Sequence, residues 1–139
     1  MRECWISALQ LRNRVSSTSN DGFIETLNFL IEKGTEKDPN YISEDDSYGD
    51  APLHYAVYRN NVEAARILLD NNADIDDVDN QKQTALHMAA TNGSVEILAL
   101  FIERKANFGM ADNDGTTALQ LAIAEGNHRS IIIIVIIII

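Results

Sequence analysis

The sequence predicts an all-α solenoid, a stack of short helical units, and three observations predict it. One phrase returns at a fixed interval: Ala51-Pro52-Leu53-His54, Thr84-Ala85-Leu86-His87 and Thr117-Ala118-Leu119-Gln120, with both steps 33 residues long. Its surroundings keep the same register, since Asp46, Asp79 and Asp112 open the units, Ala56, Ala89 and Ala122 align, and so do Asn60, Gly93 and Gly126. The apolar cores Ile67-Leu68-Leu69 and Leu100-Phe101-Ile102 recur at that step too. Self-similarity at a period of roughly 20 to 50 residues marks a repeat array, whose units bury their apolar faces against one another.

The phrase and its spacing resemble the ankyrin repeat, a unit of about 33 residues built on T-P-L-H-x-A. The resemblance is strong from Asp46 to Gly126 and weak before it. It implies an ankyrin-repeat solenoid of stacked helix-turn-helix units with short β-turn fingers. The chain then reads as a single domain over residues 1–139, with a divergent N-terminal repeat over 1–45 and repeats over 46–78 and 79–111. A C-terminal repeat with an anomalous Ile-rich tail takes 112–139.

In the first stretch, Ser7-Ala8-Leu9-Gln10-Leu11 echoes Thr117-Ala118-Leu119-Gln120-Leu121 at four of five positions. Trp5, Ile6 and Leu9 share a helical face. Ser16 to Gly22 is dense in turn formers, and Phe23, Ile24, Leu27, Leu30 and Ile31 then recur at helical intervals before Lys33-Gly34. From Ser7 to Ala51 the interval is 44 residues, 11 longer than the period, so this unit is a worn repeat, or alternatively a helical remnant or linker.

In the second unit, Pro52 suits the first helical position, where a missing N–H costs nothing. Ala51 lacks the hydroxyl that caps the helix in the family, and Asp50 stands one residue away as a substitute. Leu53, Ala56 and Val57 face inward, as do Val62, Ala65, Ile67, Leu68 and Leu69 on the second helix. Asn72 replaces the glycine expected at a left-handed position.

The third unit is the best specified. The resemblance implies that Thr84 caps the helix and that His87 bonds back toward it. Leu86, Ala89, Ala90, Val95, Ile97, Leu98, Phe101 and Ile102 make its core. Lys82 stands where the neighbouring units have Gly49 and Gly115, so strain is expected there. In the last unit Gln120 replaces the histidine but keeps a polar group.

Ile131 to Ile139 is eight isoleucines and one valine. In register, a hydrophobic second helix is expected over Ile131 to Val135, although β-branched residues are poor helix formers. The segment also has the pattern of an aggregating β segment. Nine residues reach about 14 Å as a helix, against roughly 30 Å of hydrocarbon, so the tail does not span a bilayer. Three readings stand: an end that is truncated or misread, residues of unknown identity written as isoleucine, or a contact strip covered by a continuation.

A net charge of -10 disfavours duplex nucleic acid and an anionic membrane surface, whose binders carry clustered Lys and Arg. It favours a basic protein partner, and it also keeps the chain soluble. Cys4 is the single cysteine, so no internal disulfide forms, which suits a reducing compartment. The opening residues lack a secretory signal. A cytoplasmic or nuclear protein is expected, as a monomer or as part of a larger chain.

His54 and His87, each with a glutamate nine residues on (Glu63, Glu96), raise a metal or acid–base reading. Equivalent positions in stacked units lie about 8–10 Å apart, whereas two zinc ligands must each come within about 2.1 Å of one ion. Capping histidines are expected instead. The acidic run Asp74, Asp76, Asp77 and Asp79 fails the calcium-loop pattern, with Val78, Asp79 and Ala85 at the required oxygen, glycine and glutamate positions, and the run from Asp112 fails too, with Thr116, Thr117 and Ile123 there. These are read as solvated turn residues. Nothing in the sequence matches a phosphate loop, a dinucleotide fingerprint or a nucleophile elbow. No cofactor, no metal and no enzyme activity are therefore expected.

What remains is surface. The resemblance implies a non-catalytic module that binds a protein through a concave face lined by finger tips and first helices. By register those positions are Ser47, Tyr48, Asp50, Tyr58 and Arg59; Asn80, Gln81, Gln83, Thr91 and Asn92; and Asn113, Asp114, Thr116 and Glu125. Tyrosine and arginine are enriched among interface hot spots, which singles out Tyr48, Tyr58 and Arg59; alternatively, Tyr58 packs on the first unit. The alternative function is a fragment of a longer array acting as a spacer or scaffold.

Overall fold

The computed structural model describes residues 51–139. Among them are six helices in chain order: α1 (Pro52–Tyr58), α2 (Val62–Asp70), α3 (Ala85–Asn92), α4 (Val95–Glu103), α5 (Ala118–Ala124) and α6 (His128–Ile138). They form three antiparallel pairs, α1 with α2, α3 with α4 and α5 with α6. First helices stack in one layer, α1 on α3 on α5, and second helices in another, α2 on α4 on α6. The described residues thus form the all-α helical solenoid that the period implies. The worn first unit, Asp50, and the turn at Gly49 lie outside the described residues.

Three of the six helices start at a side-chain cap. The side chains of Thr84, Thr117 and Asn61 accept from the backbone N–H three residues on, of His87, Gln120 and Ala64. Ala51 has no side-chain acceptor; there the cap reduces to its own N–H donating to His54 Nδ1 at 3.0 Å. Pro52 occupies the first helical position, where its missing donor leaves nothing unpaired.

Each unit also turns at equivalent points. The turn between paired helices passes through Asn60, Gly93 and Gly126, all with positive φ. There the N–H of Asn61, Ser94 and Asn127 reaches the carbonyl of Ala56, Ala89 and Ala122 at 2.9, 3.0 and 3.0 Å. After the second helix, Asn72 (φ 69) and Lys105 (φ 60) are left-handed, so asparagine does substitute for glycine. In the fingers, the strain expected at Lys82 is present as φ 58, against φ 75 at Gly115. The fingers themselves close by isolated antiparallel bridges, Val78 with Thr84 and Ala111 with Thr117.

The core lies between the two layers. Leu68, Phe101 and Ile134, one period apart, are almost wholly buried, as are Leu53, Leu86 and the alanines at 56, 89 and 122. Burying side chains of the Leu or Phe class stabilises by about 1.5–3 kcal/mol each, so this column supplies much of the stacking energy. The alanines let the helix pairs approach closely. Val62, Ile67 and Leu69 are partly buried and pack at its edge, whereas Val95 and Ile102, expected in the core, are only partly buried and lie outside it.

The tail is helical. Its β-branched residues have poor intrinsic propensity, but packing of Ile134 into the core and of α6 against α4 and α5 outweighs a few tenths of a kcal/mol per residue. α6 also runs longer than its counterparts. Ile138 is in register with left-handed Asn72 and Lys105, a conformation that a β-branched residue adopts only under strain. The helix therefore continues to Ile138 where the others turn. Among the described residues no helix is long and apolar enough to cross a membrane.

Candidate functional site

Among the described residues, internal hydrogen bonds divide the expected groove residues of the fingers and first helices into two classes. The finger carboxylates come first. Asp79 Oδ1 accepts the N–H groups of Gln81 and Gln83, both at 2.9 Å. Asp112 Oδ1 repeats this with Asp114 at 3.0 Å and Thr116 at 2.9 Å. The acidic residues read from sequence as solvated turn residues also accept the hydrogen bonds that hold those turns. Asp74 and Asp77 bond to the N–H groups of Asp76 and Val78, and Asp76 accepts across the stack from Asn107 N–H at 2.9 Å. A loop that changes direction exposes backbone donors, and a short carboxylate satisfies them locally.

Asp112 is also bound from the preceding unit, where Gln83 Nε2 donates to its Oδ2 at 3.1 Å. The Thr116 N–H and the Gln83 amide favour the charged form most and hold its carboxyl below the usual range, with smaller contributions from the Asp114 N–H and His87 and an opposing one from burial.

The histidines couple one unit to the next. His87 Nδ1 accepts the Thr84 N–H at 3.1 Å and lies 2.9 Å from its hydroxyl, while Nε2 donates to the Thr116 carbonyl at 3.1 Å. His54 repeats the arrangement with Ala51 N–H at 3.0 Å and the Gln83 carbonyl at 3.1 Å. Both rings are buried with both nitrogens in use, which is the capping role implied by the resemblance. Gln120 keeps only the near half, accepting from Thr117 N–H at 2.8 Å. Among the described residues, no group of three or more His, Cys, Asp and Glu is placed to hold a metal.

Of the expected binding positions, Tyr48 and Asp50, with Ser47, lie outside the described residues. The Gln83 amide is turned to Asp112, and Thr91 Oγ1 donates back to the His87 carbonyl at 3.0 Å. Thr116 is half-buried, its carbonyl and N–H both engaged. Arg59 is half-buried at the end of α1. Asn113 is exposed, yet its N–H and Nδ2 tie its finger to Gln81 and Asn80 carbonyls at 2.9 and 3.2 Å. The side chains of Gln81, Asn92, Asp114 and Glu125 face solvent, and so does that of Asn80. Tyr58 is 75% exposed, and the first unit, on which it was alternatively expected to pack, lies outside the described residues.

Sequence reasoning missed Asn127. Its Nδ2 donates to the carbonyls of Ala90 at 2.9 Å and Thr91 at 2.7 Å, anchoring the start of α6 on the end of α3. The available signal was an asparagine directly after the aligned Gly126, where the other units have Asn61 and Ser94. Its partners lie on another unit, which no local pattern names.

A family model described as ankyrin repeats (many copies) matches residues 19–69 and again residues 53–102. No curated protein matches the chain. Ankyrin repeats are in general non-catalytic protein-interaction modules. With more than half of its length matched, its 33-residue register and its capping histidines, the chain belongs to the ankyrin-repeat family.

Proposed function

We propose that this chain is a non-catalytic binding module that holds a protein partner on its concave face, by the finger tips and the exposed side of the first helices. The supporting observation is Tyr58, a large aromatic side chain left 75% exposed at the end of α1. Tyrosine contributes much contact area at low entropic cost, and an exposed one beside a groove is a natural anchor. Gln81, Asn92, Asn113, Asp114 and Glu125 would form the adaptable polar part, with Tyr48, Asp50, Arg59 and Asn80 flanking them. Gln83, Thr91 and Thr116 would shape the groove more than they grip. The charge of -10 suits a basic partner, reached in the cytosol or nucleus. In this reading residues 46–78, 79–111 and 112–139 are successive units behind a divergent one over 1–45.

The test is affinity capture from lysate by the whole chain, beside a copy carrying Tyr48→Ala, Tyr58→Ala and Gln81→Ala. The expected result is a protein retained by the parent, lost from the folded variant, and bound again when purified. Equal capture by both would move the site off the groove.

A second reading, a stretch of a longer array acting as spacer or scaffold, is favoured by one observation. Val57 and Ala90 are buried, while their in-register equivalent Ile123 is 57% exposed. That face is the one on which a further unit stacks.

A further inference from the structure

A face of α6 differs from its counterparts in a way that stacking of repeats does not explain. Its outward positions Ile132 and Ile136 are 56% and 68% exposed. In register, α2 has Arg66 and Asp70 there, and α4 has Ala99 and Glu103. Two units thus turn charge or a small side chain toward solvent where the third turns bulky aliphatics. A further repeat would cover the terminal face, at Ile123 and the partly buried Ile131. It would leave Ile132 and Ile136 bare, because second helices contact the next unit through other positions.

We propose that this ridge is a self-association surface, and that its occupant is α6 of a second copy, packed antiparallel about a two-fold axis near Ile132. Charge argues for that occupant. A chain of net charge -10 repels its own copies over most of its surface, but α6 contains no acidic residue and carries His128 and Arg129 at its start. Neither Arg129 nor Glu103 makes a side-chain hydrogen bond or ion pair among the described residues, and Arg129 is unpaired even with Glu96, which is in register beside it. Glu103 is in register with Ile136, at the opposite end of the ridge from Arg129. An antiparallel two-fold pairing therefore brings Arg129 of each copy over Ile136 and toward Glu103 of the other, twice by symmetry. A two-fold contact is self-complementary, as an isologous interface must be. The isoleucine ridge exposes a patch on the order of a few hundred Å², the size at which apolar surface marks an interaction site. It lies below the roughly 800 Å² per partner of a stable dimer, so the association is concentration-dependent. This inference is independent of the groove reading, and replaces the monomer expected from sequence with a reversible dimer.

The experiment is sedimentation velocity of the whole chain over a hundredfold range of concentration. It is repeated on Ile132→Asp/Ile136→Asp, on Arg129→Glu, and on Arg129→Glu/Glu103→Arg. The expected result is a reversible monomer–dimer equilibrium whose dissociation constant rises at least tenfold in the isoleucine double variant and in Arg129→Glu. The charge-swapped pair should recover most of the parent's affinity. Both isoleucines are exposed, so folding is retained and far-ultraviolet circular dichroism checks it. A parent that stays monomeric throughout overturns the proposal. So does assembly beyond the dimer that ignores the charge swap, which would be non-specific aggregation. Co-sedimentation of a monomeric parent with neutral phosphatidylcholine vesicles would overturn it in favour of a lipid surface.

Discussion

Asn127 sits where a side chain on Gly93 would have to go. A Cβ built on Gly93 would come within 3.1 Å of Asn127 Oδ1 and 3.2 Å of its Cγ, while the same amide's Nδ2 holds the carbonyls of Ala90 and Thr91. Gly93 therefore serves twice, by supplying the left-handed turn (φ 71) and by leaving room for the amide that joins α6 to α3.

From that contact, Gly93→Ala should destabilise by about 1–2 kcal/mol for the left-handed backbone alone, with an added cost from displacing Asn127. Asn127→Ala should cost about 1–2 kcal/mol for the lost bonds. Because the two changes share one contact, the double variant should be less destabilised than the sum. Urea denaturation of the four proteins measures the coupling, and strict additivity would refute it.

The Thr84–His87 pair should anchor the central unit. Thr84→Ala is expected to lower stability by about 1 kcal/mol. His87→Ala strips partners from the Thr84 N–H and the Thr116 carbonyl, for an expected loss of about 2–4 kcal/mol. The denaturation midpoint reports both, and a negligible shift for Thr84→Ala would contradict the capping role.

Lys82 holds a left-handed backbone, and its side chain makes no hydrogen bond or ion pair among the described residues. Replacement by glycine, as at Gly115, should raise stability by about 0.5–1 kcal/mol, the relief of strain exceeding the added entropy of the unfolded chain. Thermal melts of Lys82→Gly read the sign.

Ser130 is fully buried and its hydroxyl has no partner among the described residues, whereas Ala64 and Ile97 occupy the equivalent positions. Ser130→Ala should therefore be neutral or stabilising by up to about 1 kcal/mol, since it removes an unpaired hydroxyl and little volume. A clear loss of stability would show that the hydroxyl is bonded in solution.

Acid should loosen the finger at Asp112. Its carboxyl titrates below the ordinary carboxylate value in the fold, chiefly because Thr116 N–H and the Gln83 amide bind the charged form. A depressed acid contributes stability that is present above its unfolded value, about pH 3.9, and is lost as pH falls through the lower folded value. Asp112→Asn should remove that part. The drop in urea midpoint between pH 5 and pH 2.5 should then be smaller in the variant, and an equal drop would place the acid sensitivity elsewhere.

Much of this architecture was legible because it is local and periodic. The recurring phrase determined where helices begin, since Thr84 and Thr117 cap within three residues of themselves. It also marked the left-handed positions at Asn72 and Lys82, though not the one at Lys105. Side chains whose partners lie in another unit were harder to read. Gln83 reaches Asp112, 29 positions away, and Asn127 reaches Ala90, 37 positions away. Those distances close only when units stack, so sequence listed Gln83 with the groove and passed over Asn127.

By itself, then, the sequence determined the period, the helix starts and the inward faces, because short-range hydrogen bonds and apolar spacing decide them. Tertiary structure alone decided which polar groups are consumed inside the stack and which stay free. It also decided that a run of isoleucines, poor in helix propensity, forms α6: burial of Ile134 against the preceding unit outweighs that propensity, and leaves Ile132 and Ile136 facing outward.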